Sequence, residues 1–323
     1  MRAARLLGLA YWLVMACGIR AQQVLPIGSP DAADAVSPQS AVLARWPEIR
    51  DAITTKDFSK AEESMIKVIG EDPSAKVLLP VLGGVFFLDG KYLNCASAME
   101  KARAAGVLDD ASRFTLSMAY VNLKRFDLAR EDLQALQTSH PRIAKYIYWL
   151  GRLDLADQRL EAALLRFREA AKLDPASYKI FDNIGLCEEG LNRPSEAIAD
   201  FSHAASLSRA AQDPSPWPSY NLGRMLAKSN RFEEAKPALE EAVRIQSGFA
   251  KARYELGLTL EHLGQLDESL TQLYRASSLD RSFADPQYAI ARILRRKGQT
   301  EASEEALRRF QLLSDREQES RKR

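Results

Sequence analysis

The sequence has few of the residues that most metal-binding or redox chemistry requires. Only three of its 323 residues are cysteine and three are histidine, and His140, His203 and His262 lie far apart in the chain. Three cysteines cannot form the disulfide framework of a small secreted domain. Dispersed histidines argue against a histidine-rich metal site, because metal ligands must converge. We therefore predict neither a cofactor nor a bound metal.

The sequence also has no strong excess of one charge and only one long apolar run. It contains 45 basic and 43 acidic residues, whereas dedicated nucleic-acid-binding domains usually carry a strong basic excess. The apolar run lies at the extreme N-terminus, which excludes a membrane protein with several spans. Apolar residues make up 46% of the chain, which is ordinary for a globular protein. We expect no nucleic-acid partner.

Residues 1–21 have the three-part pattern of a secretory signal peptide. Arg2 and Arg5 form a basic head, residues 6–19 carry no charge, and Ala21 precedes a polar stretch. The apolar run is shorter than the roughly 20 residues that cross a bilayer. We therefore expect an exported protein, located in the periplasm or cell envelope or secreted.

Two alternatives stay open for this segment, and both would attach the protein to a membrane. The segment can be retained as an uncleaved anchor, or the chain can be a lipoprotein, because residues 14–17 loosely resemble a bacterial lipobox ending at Cys17. Met15 departs from that pattern. Residues 22–41, which contain three prolines and few large apolar residues, are predicted to be a flexible spacer.

The rest of the chain repeats with a period of about 34 residues, and a fixed period of this kind is typical of repeat architectures. Gly151, Gly185, Gly223 and Gly257 mark four successive repeats, and each follows Leu or Ile. The interval from Gly185 to Gly223 is longer than the other two. Its extra residues predict a stiff extended loop at 212–218, which contains three prolines. The repeats begin near residues 42, 76, 110, 144, 178, 216, 250 and 284.

Each repeat predicts two helices that cross at a small residue. Apolar residues recur at three- and four-residue spacing in both halves of the repeat, and Gly or Asn with polar neighbours often separates the halves. Twelve residues after the Gly position, every repeat has Ala, Ser or Cys. These eight residues are Ala61, Cys95, Ala129, Ala163, Ala197, Ala235, Ser269 and Ser303.

With these features, the chain resembles the tetratricopeptide-repeat family. The segments Tyr220-Asn221-Leu222-Gly223 and Leu173-Asp174-Pro175 match the family consensus closely. The resemblance covers residues 42–316 and implies an all-α fold, a right-handed α-solenoid of about eight helical hairpins. Residues 317–323 would then form a charged C-terminal tail.

The resemblance also implies a concave groove lined by the first helices, into which the fifth residue of each repeat points. Six of these eight positions are aromatic, and in four repeats an Arg follows one helical turn later. The alternative is structural, with each Arg stacked on its own ring. The predicted peptide- or protein-binding residues are Trp46, Arg50, Phe114, Lys145, Tyr148, Arg152, Lys179, Tyr220, Arg224, Lys251, Tyr254, Tyr288 and Arg292.

The sequence predicts an exported, non-enzymatic scaffold or adaptor. It contains no Gly-rich phosphate loop and no His-Glu-x-x-His motif, and we assign no catalytic residue. The expected partner is a protein or peptide whose identity the residues do not reveal. Membrane contact is expected only through an uncleaved signal or Cys17. The alternatives are an accessory subunit of an envelope enzyme or assembly machine, and a self-assembling structural protein.

We expect the exported protein to begin near Gln22, because Ala21 ends the charge-free apolar run. Intact-mass spectrometry of the exported protein measures this directly. A mass that matches all 323 residues would indicate a retained anchor. A lipid adduct on Cys17 would indicate a lipoprotein.

Overall fold

The computed structural model describes residues 41–322, which form sixteen α-helices and, within that range, no β-strand. The predicted all-α fold is therefore confirmed. Contacts divide the chain into two compact units, one ending at Arg159 and one beginning at Leu160. Within residues 41–322 no helix combines the length and the apolar character that crossing a bilayer requires. The predicted signal segment and most of the spacer lie outside the described residues.

The first unit contains seven of these α-helices, and the second contains nine. In the first unit they are α1 Ala41–Thr54, α2 Phe58–Glu71, α3 Leu79–Leu88, α4 Tyr92–Ala104, α5 Asp110–Asn122, α6 Phe126–Ser139 and α7 Ala144–Ala156. In the second they are α8 Leu160–Leu173, α9 Tyr178–Gly190, α10 Pro194–Ala210, α11 Pro216–Lys228, α12 Phe232–Ile245, α13 Ala250–His262, α14 Leu266–Leu279, α15 Asp285–Arg296 and α16 Thr300–Lys322.

Within each unit, consecutive helices pack as hairpins that stack on their neighbours. The first unit contains three complete hairpins and ends with α7, and the second begins with α8 and contains four. The turn between the two helices of a repeat always contains a residue with positive φ, at the same position of the repeat. Gly and Asn tolerate this left-handed conformation best. Lys56, Lys124 and Gln158 also adopt it, so composition alone did not mark every turn.

In the hairpins that lie within one unit, the small residues are placed where the two helices cross. All eight are buried, and seven are fully inaccessible. Opposite them, the glycines of the first helices also leave no space. A Cβ on Gly223 would lie 2.5 Å from Leu239, and one on Gly185 would lie 2.6 Å from Phe201. The hydroxyl of Ser269 donates to the carbonyl of Gly257 at 2.6 Å, which satisfies this buried polar group.

The predicted extended loop at 212–218 is wrong in its second half. Pro216 and Pro218 lie in the first turn of α11, where proline is tolerated because the N–H groups there have no helical partner. Part of the insertion lengthens α10, which has 17 residues where α8 and α12 have 14. The remainder forms the short connection 211–215.

Two further helix boundaries differ from a simple repeat. In the second repeat a 3-10 helix, Pro73–Leu78, precedes α3, and Pro80 lies in the first turn of α3. At the other end, α16 continues through the charged segment to Lys322. The charged tail is therefore helical over most of its length.

We predict that Ala197→Leu lowers the free energy of unfolding by about 1–3 kcal/mol, because the larger leucine side chain overpacks the crossing. Ala197 is fully buried, whereas Ala199 is exposed on the same helix. Ala199→Leu should change the free energy by less than about 0.5 kcal/mol. Urea unfolding of both variants measures the difference, and a larger loss for Ala199→Leu would contradict the crossing geometry.

Candidate binding face on the first helices

In the first unit, the predicted groove residues are partly covered by the protein itself. Trp46 is half-buried against the core, and Arg50 is exposed. Phe114 is only 6% exposed, so it supports the helix more than it offers a contact. The Lys145 ammonium lies 4.7 Å from the centre of the Phe114 ring and 5.2 Å from that of Tyr146. Burial lowers the pKa of Lys145.

The aromatic–Arg pair on α7 forms an internal contact. The Nη1 of Arg152 donates to the hydroxyl of Tyr148 at 3.0 Å. Its guanidinium carbon lies 5.9 Å from the centre of the Tyr148 ring and 5.6 Å from that of Trp149. Arg152 is buried. This is the arrangement that the structural alternative predicted for the pair.

In the second unit, most of the predicted rings pack on neighbouring aromatic residues. Tyr220 is buried and contacts the rings of Trp217 and Phe249. The half-buried Tyr254 lies 5.1 Å from Phe283, measured between ring centres. These rings hold adjacent repeats together, and Tyr220 offers almost no surface to a ligand.

Other predicted residues of the second unit are accessible. Lys251 is exposed, and Tyr288 is 50% exposed although its ring contacts Phe310. Lys179 is exposed and lies 5.9 Å from the ring of Tyr178. We use the name first-helix face for a set of charged and tyrosine side chains on α9, α11, α13 and α15. They are Lys179, Glu189, Arg224, Lys228, Lys251, Tyr254, Glu255, Glu261, Asp285, Tyr288, Arg292 and Arg296.

Glu189 on this face is held by two cations of the next repeat. Arg224 donates to it twice, at 2.8 and 2.5 Å, and Lys228 donates to the same carboxylate. Burial alone would raise the pKa of Glu189, but the hydrogen bonds and charges of Arg224 and Lys228 outweigh burial and lower the pKa to about 2. These contacts of Glu189 with Arg224 and Lys228 therefore join α9 to α11.

The same arrangement recurs two repeats later. Glu261 accepts from Arg292 at 2.9 and 2.5 Å and from Arg296 at 3.3 Å, so that α13 is joined to α15. Glu189 and Glu261 occupy the same position of their repeats, as do Arg224 and Arg292. The predicted binding residues include neither carboxylate. A search for opposite charges about one repeat apart would have found them.

Two further carboxylates of the first-helix face have no ion-pair partner among the described residues. Burial raises the pKa of Glu255, although Arg224 and Lys228 oppose this effect. Burial also raises the pKa of Asp285, with a contribution from Glu317. The negative charge of Asp285 also raises the pKa of Glu255. The first-helix face therefore carries both paired cations and unpaired carboxylates, and it is mixed in charge.

The chain matches the tetratricopeptide repeat as a family over residues 114–178 and 220–288. It is also similar in structure to YrrB, described as a TPR protein with an unusual peptide-binding site. That match has 23% identity and a TM-score of 0.50, and it covers 57% of this chain and 93% of YrrB.

Two other solved structures show the same architecture. PilW, described as a widely conserved type IV pilus biogenesis factor, is 24% identical, with 63% of this chain and 92% of PilW covered and a TM-score of 0.55. A tetratricopeptide repeat protein from Parabacteroides merdae is 15% identical, with 77% and 96% covered and a TM-score of 0.59. These likenesses show the fold, an all-α solenoid of helical hairpins.

We predict that Glu189 contributes to stability above its ordinary pKa of 4.5 and that this contribution is lost as the pH falls toward 2. A carboxylate whose pKa is lowered by folding stabilises the folded state only while it is ionised. A shift of this size corresponds to about 3 kcal/mol. Between pH 5 and pH 2, the wild type should lose roughly that much more stability than Glu189→Gln.

Urea unfolding at a series of pH values measures this loss. Glu233→Gln, which changes an exposed glutamate on α12, is the control and should follow the wild type. Equal pH dependence in the wild type and in Glu189→Gln would show that the contact with Arg224 does not stabilise the fold.

Proposed function

Because the chain belongs to the tetratricopeptide-repeat family, we propose that it is an exported, non-enzymatic scaffold that holds a peptide segment or a partner protein on its first helices. The observation that carries this proposal is the accessible surface of the first-helix face. Tyr288 and Lys251 reach solvent, and ion pairs fix the orientation of Arg224 and Arg292. Tyr and Arg are the residue types that most often dominate binding energy at interfaces.

The ion pairs favour binding because they restrict side chains before a partner arrives. Arg292 and Arg296 are each about half exposed while they contact Glu261. Ordering a long side chain on binding costs conformational entropy, and here part of that cost is met on folding. The exposed N–H groups can still donate to carbonyl or carboxylate oxygens of a bound segment.

The cysteines of the described residues support a non-enzymatic role. Cys95 and Cys187 are both buried. Burial raises the pKa of each thiol to about 12, so neither supplies a thiolate at neutral pH. Export is supported by the signal-like pattern of residues 1–21.

We predict that Lys251→Glu combined with Tyr288→Ala weakens partner capture at least roughly tenfold. The variant removes the aromatic ring at position 288 and reverses the charge at position 251. Both residues are accessible, so the melting temperature should change little. The measurement is a pull-down from the envelope fraction of the exporting cell, with captured proteins quantified by mass spectrometry.

A matched control changes one lysine and one tyrosine of the second helices. Lys172 is exposed on α8, and Tyr274 on α14 is 47% exposed. Lys172→Glu with Tyr274→Ala should leave capture within about twofold of the wild type, since changes outside an interface have small effects. Loss of capture in this control, with none in the first variant, would place the partner on the second helices.

Arg224→Glu is a poor test of the same proposal. It would leave the largely buried Glu189 beside a second negative charge and so destabilise the junction between α9 and α11. Arg168, on a second helix, is an equally poor control, because it donates to the fully buried Glu188 at 2.6 Å.

A further inference from the structure

A cavity of about 260 Å³ lies between two adjacent second helices and the first helix that packs beneath them. Its floor is apolar and includes Leu256 and Leu260, and its rim carries the carboxylates of Glu240 and Glu268. It is formed by α12, α13 and α14 within the second unit. The lining residues are Glu240, Val243, Leu256, Leu260, Glu268, Thr271 and Gln272.

The repeat register gives each of these positions a counterpart in the first unit, four repeats earlier. Glu240 corresponds to Glu100, and Leu260 corresponds to Tyr120. Val243, Leu256 and Gln272 stand where the first unit has Arg103, Leu116 and Asp132. Glu268 and Thr271 stand where it has Leu128 and Glu131. One carboxylate of the rim, that of Glu240, and one leucine of the floor are thus the same in both units.

In the first unit, the chain's own side chains occupy this position. The ring of Tyr120 is buried, and its hydroxyl donates to Glu100 at 2.5 Å. Arg103 beside it donates to both oxygens of the buried Asp132, at 2.6 and 2.7 Å. A phenol and a guanidinium therefore fill the space between these helices.

In the second unit, no residue supplies the phenol or the guanidinium at these positions, whereas the carboxylate of Glu240 is present. Leu260 is shorter than a tyrosine, and Val243 is shorter than an arginine, so a cavity is left over the apolar floor. Lys236 lies 3.9 Å from both Glu240 and Glu268 and donates its closer hydrogen bond to Gln265 at 3.0 Å. Arg253 donates to the side-chain oxygen of the lining Gln272 at 2.7 Å. Glu240 is half-exposed and can accept from another donor.

We propose that this cavity binds a tyrosine side chain of a partner protein. The ring lies on Val243, Leu256 and Leu260, and the hydroxyl donates to Glu240 as Tyr120 donates to Glu100. An arginine fits less well, because Gln272 replaces the aspartate that holds Arg103. The site is separate from the first-helix face and does not depend on it.

The size of the cavity agrees with one side chain as the occupant. An apolar cavity of about 150 Å³ in another protein is large enough to bind benzene. Pockets for whole small-molecule ligands usually measure about 300–1,000 Å³. A volume of 260 Å³ therefore suits an aromatic ring with one polar substituent and is small for a cofactor.

The test uses p-cresol, the side chain of tyrosine, and toluene, which lacks the hydroxyl. In NMR titrations of the purified protein, p-cresol should shift the amide signals of Leu256, Leu260 and Thr271 in a saturable manner and bind more tightly than toluene. Glu240→Gln should weaken p-cresol binding roughly tenfold and leave toluene binding unchanged, because only the phenol donates to the carboxylate. The control Glu233→Gln should change neither affinity.

Leu260→Tyr supplies the missing ring from within the chain and should abolish saturable binding of p-cresol. Lys251→Glu with Tyr288→Ala should leave p-cresol binding intact, which separates this cavity from the first-helix face. Equal affinity for toluene and p-cresol, or unchanged p-cresol binding in Glu240→Gln, would overturn the proposal. Neither of these two measurements uses the Leu260→Tyr variant, so they test the proposal even if that variant does not fold.

Discussion

The close crossing of two helices at a buried small residue is the contact on which each unit depends. At Gly223 the backbone of a first helix lies directly against Leu239 of its second helix, and Ala235 is fully buried beside them. Close packing of this kind tolerates almost no added volume. Because every hairpin keeps it, side chains that lie one repeat apart take equivalent places on neighbouring hairpins. The ion pairs of Glu189 and Glu261 follow from that regular stacking.

This explains why the fold could be predicted from the sequence and some boundaries could not. Small residues recur once in every repeat because each must satisfy the same steric constraint, so the pattern is visible without a structure. Prolines give a less definite signal, since they are tolerated both in loops and in the first turn of a helix. Pro216 and Pro218 were therefore assigned to a loop although they begin α11.

The binding face was harder to predict because exposure and pairing depend on neighbouring repeats. The sequence shows that an arginine follows an aromatic residue by one turn, and this pattern suits a ligand contact and an internal contact equally well. Arg152 makes the internal contact with Tyr148, and Arg224 pairs with Glu189 of the previous repeat. Only a structure shows that Tyr220 is buried while Tyr288 reaches solvent.

The two units show how one repeat register can produce either a filled core or a binding cavity. A tyrosine at the position of Tyr120 buries its ring and satisfies its hydroxyl on Glu100. A leucine at the equivalent position, Leu260, keeps the helices packed but leaves Glu240 without the phenol donor. Since the crossing residues hold the hairpins in place, such changes away from the crossing alter the space between helices without changing the fold. A solenoid can therefore acquire a new contact site where one repeat has smaller side chains than another repeat has at the equivalent positions.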